Sequence, residues 1–227
     1  LAIQRREAEW VADRIGKDRT MLVEHGFDMP AVTSFPAANC NRLTLIASDN
    51  PQNHHGLEWF LSKVWPLVLG QRPSAELHVY GPLSKRPVCS GPKVFAHGVV
   101  DSLDPVYRDA AILINPIRAG SGLKIKTVEA MAHARAVVTT SVGADGLLPE
   151  GAECLSVADD PTDFAASVVR FMDSPESAAE YGQRARSLCE GRFSNEAVYA
   201  PLIDWIRARS KAVPTDQSER TTSNRTV

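Results

Sequence analysis

Residues 115–140 read NPIRAGSGLKIKTVEAMAHARAVVTT. An apolar run that begins just upstream, AILINPI (111–117), breaks into a turn holding Gly120 and Gly122. An amphipathic segment with two lysines and one glutamate follows, and then a second apolar run, AVVTT (136–140). Neither apolar run alternates with period two, so each reads as a strand buried on both faces. An amphipathic segment of about a dozen residues between them has the length and periodicity of a helix. Two strands joined by such a crossover lie parallel, which selects an α/β fold.

The pattern repeats on either side. Strands are expected at LTLIAS (43–48), AELHVYG (75–81), KVFAHG (93–98) and ECLSVA (153–158). Helices are expected at 57–70, with Leu57, Phe60, Leu61, Val64 and Val68 on one side, and at 102–110, 123–134, 160–173, 175–193 and 195–209. Pro66 should kink the first of these or end its regular part. Ser102, Asp160 and Ser174 stand where N-caps belong. Residues 5–15 have helical spacing, and TMLVEHG (20–26) reads as a strand stopped by Gly26. The stretch 27–41 has two prolines and little periodicity and reads as a linker. From Lys211 on, apolar residues nearly vanish and a disordered tail is expected. The organisation is therefore 1–40 before and into a linker, 41–192 a doubly wound parallel sheet, 193–210 a C-terminal helix and 211–227 a tail.

Composition bounds the function. The 227 residues are 44% hydrophobic and 23% charged, with a net charge of −2. Such a chain has no electrostatic case for nucleic acid or an acidic membrane. No apolar run approaches the roughly 20 residues of a membrane helix. The four cysteines lie at least 35 residues apart, without zinc spacing, and read as free thiols in a reducing cytosol. The chain starts at Leu1 inside structured-looking sequence and reads as a piece of a longer protein.

In open parallel sheets ligands bind beyond the carboxyl ends of the strands, and residues 116–124 lie at such an end. Gly120 and Gly122 permit positive φ and close backbone approach to a ligand. The helix that follows aims its free N–H groups and positive dipole end at the same place, which suits a phosphate. Lys124, in the first helical turn, is tolerable there if an anion usually occupies the site; Arg118 and Lys126 add positive charge. Glu129, one to two turns further in, can accept two hydrogen bonds from a vicinal diol such as a ribose. The alternative for Glu129 is pairing with Lys126 or His133 on a solvated face. The glycine spacing is not GxGxxG and does not follow the first strand, so a nicotinamide dinucleotide is not expected. Adjacent His54 and His55 lack an evident carboxylate partner, so no metal site is expected.

These residues resemble a known family. GSGLKIKTVEAMAHARAVVTTSVGADGL (120–147) looks like the donor-binding motif of GT-B glycosyltransferases of the group 1, family 4 kind. Residues 53–81 and 94–120 match it in order and spacing, and VEHGFDMP (23–30) looks like the segment leaving the N-terminal domain. The resemblance implies the Rossmann-like C-terminal half of a GT-B fold that binds a nucleoside diphosphate sugar, with no other cofactor. Residues 1–40 would then end the acceptor domain and form the interdomain linker. Lys124 and Arg118 would be catalytic, stabilising the leaving diphosphate. Gly120, Ser121, Gly122, Leu123, Glu129, Gly98, Val99 and His54 would line the donor site, with Gly98–Val100 against the base and residues 80–82 in the same cleft. Asp145–Gly146 is a turn with an expected sugar contact. The family motif has a glutamate eight residues before Glu129, where this chain has Ser121.

The implied activity is transfer of a hexose from a nucleoside diphosphate sugar to a hydroxyl of a glycan, lipid or small molecule, with retention, in the cytoplasm. The fragment alone would be inactive, and peripheral membrane association would come only through the missing N-terminal domain. Alternatives are a non-catalytic nucleotide-sugar-binding domain, a GT-B nucleotide-sugar epimerase and a receiver-like domain, the last needing more acidic residues at the strand ends than Asp49.

Overall fold

The computed structural model describes residues 1–31 and 40–210. The expected tail at 211–227 and most of the linker lie outside them. Strands β1 (Arg42–Ile46), β2 (Glu76–Tyr80), β3 (Val94–Gly98), β4 (Ile112–Asn115), β5 (Ala136–Thr139) and β6 (Ser156–Val157) form one sheet in the order β3-β2-β1-β4-β5-β6. Every pairing is parallel. The fold is the expected doubly wound α/β type. The chain starts at the centre, runs outward to β3, then crosses to β4 and runs outward the other way. The order therefore reverses between β1 and β4, where such sheets open a crevice.

Alternate strand residues face opposite layers. Leu43, Leu45, Leu77, Val79, Ile112, Ile114 and Val138 point to one layer. It is made by α2 (Pro51–Trp59), α3 (Trp65–Gln71) and α6 (Pro161–Asp173), and is filled by Phe60, Val64, Trp65, Phe164 and Phe171. Ile46, Leu113 and Val137 point to the other, with Tyr107, Val128, Met131, Ala185, Cys189 and Phe193. That layer holds α4 (Asp104–Asp109), α5 (Ile125–Ala132) and α7 (Pro175–Arg192). Burying both faces is why these strands read as unbroken apolar runs.

The helix expected at 57–70 starts earlier and is interrupted. Asn50 accepts from Asn53 N at 2.8 Å and Pro51 occupies the first turn, so α2 begins at residue 51. A π-turn at Phe60–Val64 follows, and α3 restarts at Trp65 with Pro66 in its first turn, where a missing N–H leaves nothing unpaired. The cap of α4 is Leu103 rather than Ser102, whose hydroxyl accepts from Asp104 N at 3.3 Å. The strand expected at 20–26 reduces to one bridge, Ala2 with Leu22. Helix α1 (Arg5–Ile15) buries none of its residues. Asp160 and Ser174 cap α6 and α7 as the sequence indicates, and α8 (Asn195–Ser210) completes the described chain.

Helix α5 ends on a strained turn. Ala134 has φ +56°, a left-handed conformation that costs an L-residue about 1–2 kcal/mol. A Cβ on Gly182 of α7 would collide with the Ala134 carbonyl, so α7 presses directly on the turn and holds it. Ala134→Gly should remove the strain at some entropic penalty in the unfolded chain. The expected net gain is about 0.5–1 kcal/mol, read as a raised denaturant midpoint; an unchanged or lowered midpoint would contradict it.

Candidate functional site

The crevice is built by the segments leaving β1, β4 and β5. Helix α2 lies against the β4 exit: a Cβ on Gly56 would come within 2.8 Å of the Pro116 carbonyl. Asn115 Nδ2 donates to Thr127 Oγ1 at 2.9 Å, tying the end of β4 to the first turn of α5. Thr139 Oγ1 donates to the Asn115 carbonyl at 3.0 Å, and Thr140 Oγ1 to the Ile117 carbonyl. The loop thus has a fixed shape before the glycines are reached.

Gly120 and Gly122 have φ of +110° and +81°, the region that favours glycine. Gly120 faces Gln52 of α2, whereas Gly122 faces Gln4 of the N-terminal segment. Gly122 N donates to Asp145 Oδ2 at 2.6 Å, and Lys124 Nζ donates to the Gly122 carbonyl at 2.6 Å. Both backbone polar groups of Gly122, one in each of the peptides that flank its Cα, are therefore engaged within the protein. The next four amides, of Leu123, Lys124, Ile125 and Lys126, donate to nothing among the described residues. They form a run of free N–H groups leading into the positive end of α5.

Lys124 corrects the expectation that placed it in the first helical turn. It is the N-cap of α5, with extended backbone (φ −91°, ψ 98°). Its carbonyl accepts from Thr127 N at 2.9 Å and starts the helix. Burial pushes the ammonium below its ordinary pKa, and the Asp145 charge pushes it back up.

Glu129 sits on the second turn of α5. The buried Tyr107 of α4 donates its hydroxyl to Glu129 Oε2 at 2.7 Å, and Lys126 Nζ reaches the same oxygen at 3.0 Å. The other oxygen, Oε1, has no hydrogen bond among the described residues. Burial, with the Glu129 charge behind it, drives the Tyr107 pKa far up, so the phenol remains a donor. Lys126 is the partner that the solvated-face reading allowed. His133 turns instead to stack on Tyr107 (4.5 Å, 17°) and to approach Asp104 (3.6 Å).

Arg118, expected beside Lys124, has different partners. Its guanidinium lies over the Trp59 ring at 4.7 Å and within 3.5 Å of the Asp159 carbonyl. At the end of β1, His54 Nε2 lies 2.7 Å from Asp49 Oδ1, and Arg86 holds Asp49 Oδ2 with Nε at 2.8 Å and Nη2 at 2.7 Å. The Arg86 and His54 contacts hold the Asp49 carboxyl below its usual range. Gly98 donates its N–H to Ser84 Oγ at 2.8 Å, and its carbonyl accepts from Gly81 N at 2.7 Å. Val99, the next residue, is exposed.

The structure therefore brings together Gly120, Ser121, Gly122, Leu123, Lys124 and Glu129 on one loop-and-helix unit. It puts His54 on α2 beside Asp49, sets Gly98 and Val99 at the end of the edge strand, and turns Arg118 toward Trp59. The sequence reading missed Tyr107, Arg86 and a hydrogen-bonding role for Asp145. Arg86 carried a signal, standing in the turn just after a strand; Tyr107 carried none, lying 22 residues from its partner on another helix. A cavity of about 350 Å³ separates α1 from the glycine turn, lined by Gln4, Arg5, Ser121, Gly122, Asp145 and Arg192 among others. Among the described residues no group of three or more His, Cys, Asp or Glu is arranged to hold a metal, and no helix is long and apolar enough to cross a membrane.

Comparison with known proteins gives three results. Residues 41–174 match the family described as glycosyl transferases group 1. An uncharacterized 44.6 kDa protein in the cps region of Klebsiella pneumoniae is 27% identical over 181 residues, covering 74% of this chain and 46% of that protein. The chain thus spans about half the length of that relative. Among solved structures, S. aureus TarM in a complex with UDP has a TM-score of 0.71 at 17% identity, over 91% of this chain and 42% of its own. Anabaena HepE with UDP and glucose has a TM-score of 0.68 at 12% identity, over 91% of this chain and 62% of its own. At those identities the likeness is one of fold, and both folds are of the GT-B type.

Proposed function

The chain belongs to the group 1 glycosyl transferases, and from that premise we propose that it is the donor-binding part of a transferase. That enzyme moves a hexose from a nucleoside diphosphate sugar to a hydroxyl of a glycan, lipid or small molecule. The observation that carries the reading is the run of free amides from Leu123 to Lys126, with Lys124 capping α5 within it and Glu129 one turn beyond. The amides and the end of α5 receive the diphosphate, whose charge grows as the glycosidic bond breaks. Lys124 adds a cation at that point. Glu129 Oε1 accepts from the ribose hydroxyls, held in place by Tyr107 and Lys126 on Oε2. Val99 lies where the base would rest, and His54, braced by Asp49 and Arg86, faces the sugar or phosphate side.

Retention, cytoplasmic location and the role of the N-terminal half belong to the same proposal and rest on the family. Ser121 in place of a glutamate favours a second reading, a domain that binds the donor without transfer. Titration calorimetry of the chain with UDP, GDP and ADP, without added metal, tests the donor site. UDP is tested first because TarM and HepE were both solved with it. The expected result is binding of one nucleotide at micromolar to sub-millimolar affinity; a folded chain that binds none of the three would sink the proposal. Sugar transfer by the full-length protein separates the enzyme from the second reading.

A further inference from the structure

Asp145 is the one carboxylate among the described residues that hydrogen-bonds the glycine turn, and it lies 23 residues downstream, on the loop leaving β5. It takes the Gly122 N–H while Lys124 takes the Gly122 carbonyl, both at 2.6 Å. The two bonds hold the two peptide planes that flank the Gly122 Cα, so neither φ nor ψ of Gly122 can change far without breaking one of two charge-assisted bonds, the stronger kind of hydrogen bond. The grip matters because Gly122, at φ +81°, has more alternative backbone conformations than any other residue type. The loop that carries Asp145 is itself braced. Gly146 packs on Leu123, and Arg192 Nη2 donates to the Gly146 carbonyl at 2.9 Å while holding Glu24 through two bonds.

Resting on the donor-site reading above, we propose that Asp145 is a positioning residue. With Lys124 it fixes the backbone angles at Gly122, so that the four free amides beyond it converge on the diphosphate. Asp145 itself does not contact the donor. This role differs from the sugar contact expected for the Asp145–Gly146 turn. It also differs from that of a plug, in which the carboxylate would leave the Gly122 amide when an anion arrives. The Asp145 charge also favours the ammonium form of Lys124, which keeps the second half of the grip intact.

The experiment is UDP, GDP and ADP titration of the wild-type chain, Asp145→Ala and Asp145→Asn, with circular dichroism of each and amide NMR of the wild type. Asparagine retains an oxygen for the Gly122 N–H and alanine does not. Asp145→Ala should weaken binding by about tenfold, and Asp145→Asn should stay within about threefold of wild type. In the wild-type spectrum, nucleotide should shift the Leu123, Lys124, Ile125 and Lys126 amides most and Gly122 least. Equal affinity of Asp145→Ala and wild type overturns the assignment, as does an asparagine variant as weak as alanine. A Gly122 amide that shifts most overturns it in favour of the plug. If Asp145→Ala does not fold, the NMR result on the wild type decides alone. A wild-type chain that binds none of the nucleotides removes the donor-site reading itself, an outcome distinct from all the others.

Discussion

Lys124→Ala is expected to lower the turnover of the full-length transferase by about 10²–10³-fold, the usual effect of removing one preorganised donor to a developing negative charge. The residue stands at the cap of α5, outside the hydrogen-bonded helix, with its ammonium tethered to the Gly122 carbonyl. In the proposed reaction the bridging oxygen of the diphosphate gains charge as it separates from the sugar, and the cation would already be in place. Alanine removes that cation and one half of the grip on Gly122. It removes little from the core, because Lys124 is only partly buried. The unfolding midpoint should therefore move far less than the turnover does. The pH dependence gives a second signature. Burial places the Lys124 pKa below its ordinary value of 10.5, so the ammonium is lost at a lower pH than that of an exposed lysine. The alkaline fall of kcat/KM, which reports the free enzyme, should begin below that value in the wild type and be absent in Lys124→Ala. Equal turnover of the variant and the wild type would remove Lys124 from the chemistry.

The central strands are readable in the sequence because β1, β4 and β5 are buried on both faces and leave apolar runs behind them. The start of α2 is not, because Asn53, His54 and His55 carry no apolar period; an asparagine cap and a proline set it, and both look equally like a turn. The same division runs through the site. Gly120, Gly122, Lys124 and Glu129 lie within ten residues of one another, and their spacing marks them as candidates. Spacing does not mark their partners. Tyr107 and Asp145 reach the unit from other crossovers, and the pairings exist only once α4 and the β5 exit have docked. Arg118 illustrates the converse: its charge and position suggest a phosphate ligand, yet the Trp59 face on the neighbouring helix gives its guanidinium a place to lie. A sequence motif specifies which groups are available, and the packed sheet decides which of their faces remain free.

Glu129 is where that distinction has its largest measurable consequence after Lys124. Two variants separate its two oxygens. Glu129→Ala should weaken UDP by about 10–100-fold, since hydrogen bonds to a charged group contribute about 1.5–3 kcal/mol. It should also destabilise the fold, because the Tyr107 hydroxyl, buried beside it, loses its acceptor at a cost of about 1–3 kcal/mol. The Lys126 ion pair, half exposed, adds little. Tyr107→Phe placed in the Glu129→Ala background removes the orphaned hydroxyl. The double variant should recover most of the lost stability and none of the lost UDP affinity. Inorganic pyrophosphate supplies the control, as it carries the two phosphates without a ribose. Its affinity should be the same for wild type and for both Glu129 variants, and should fall in Lys124→Ala. If Glu129→Ala binds UDP as the wild type does, or if pyrophosphate weakens in parallel with UDP, then Oε1 does not read the ribose. Glu129 would then serve only to hold α4 on α5 through Tyr107.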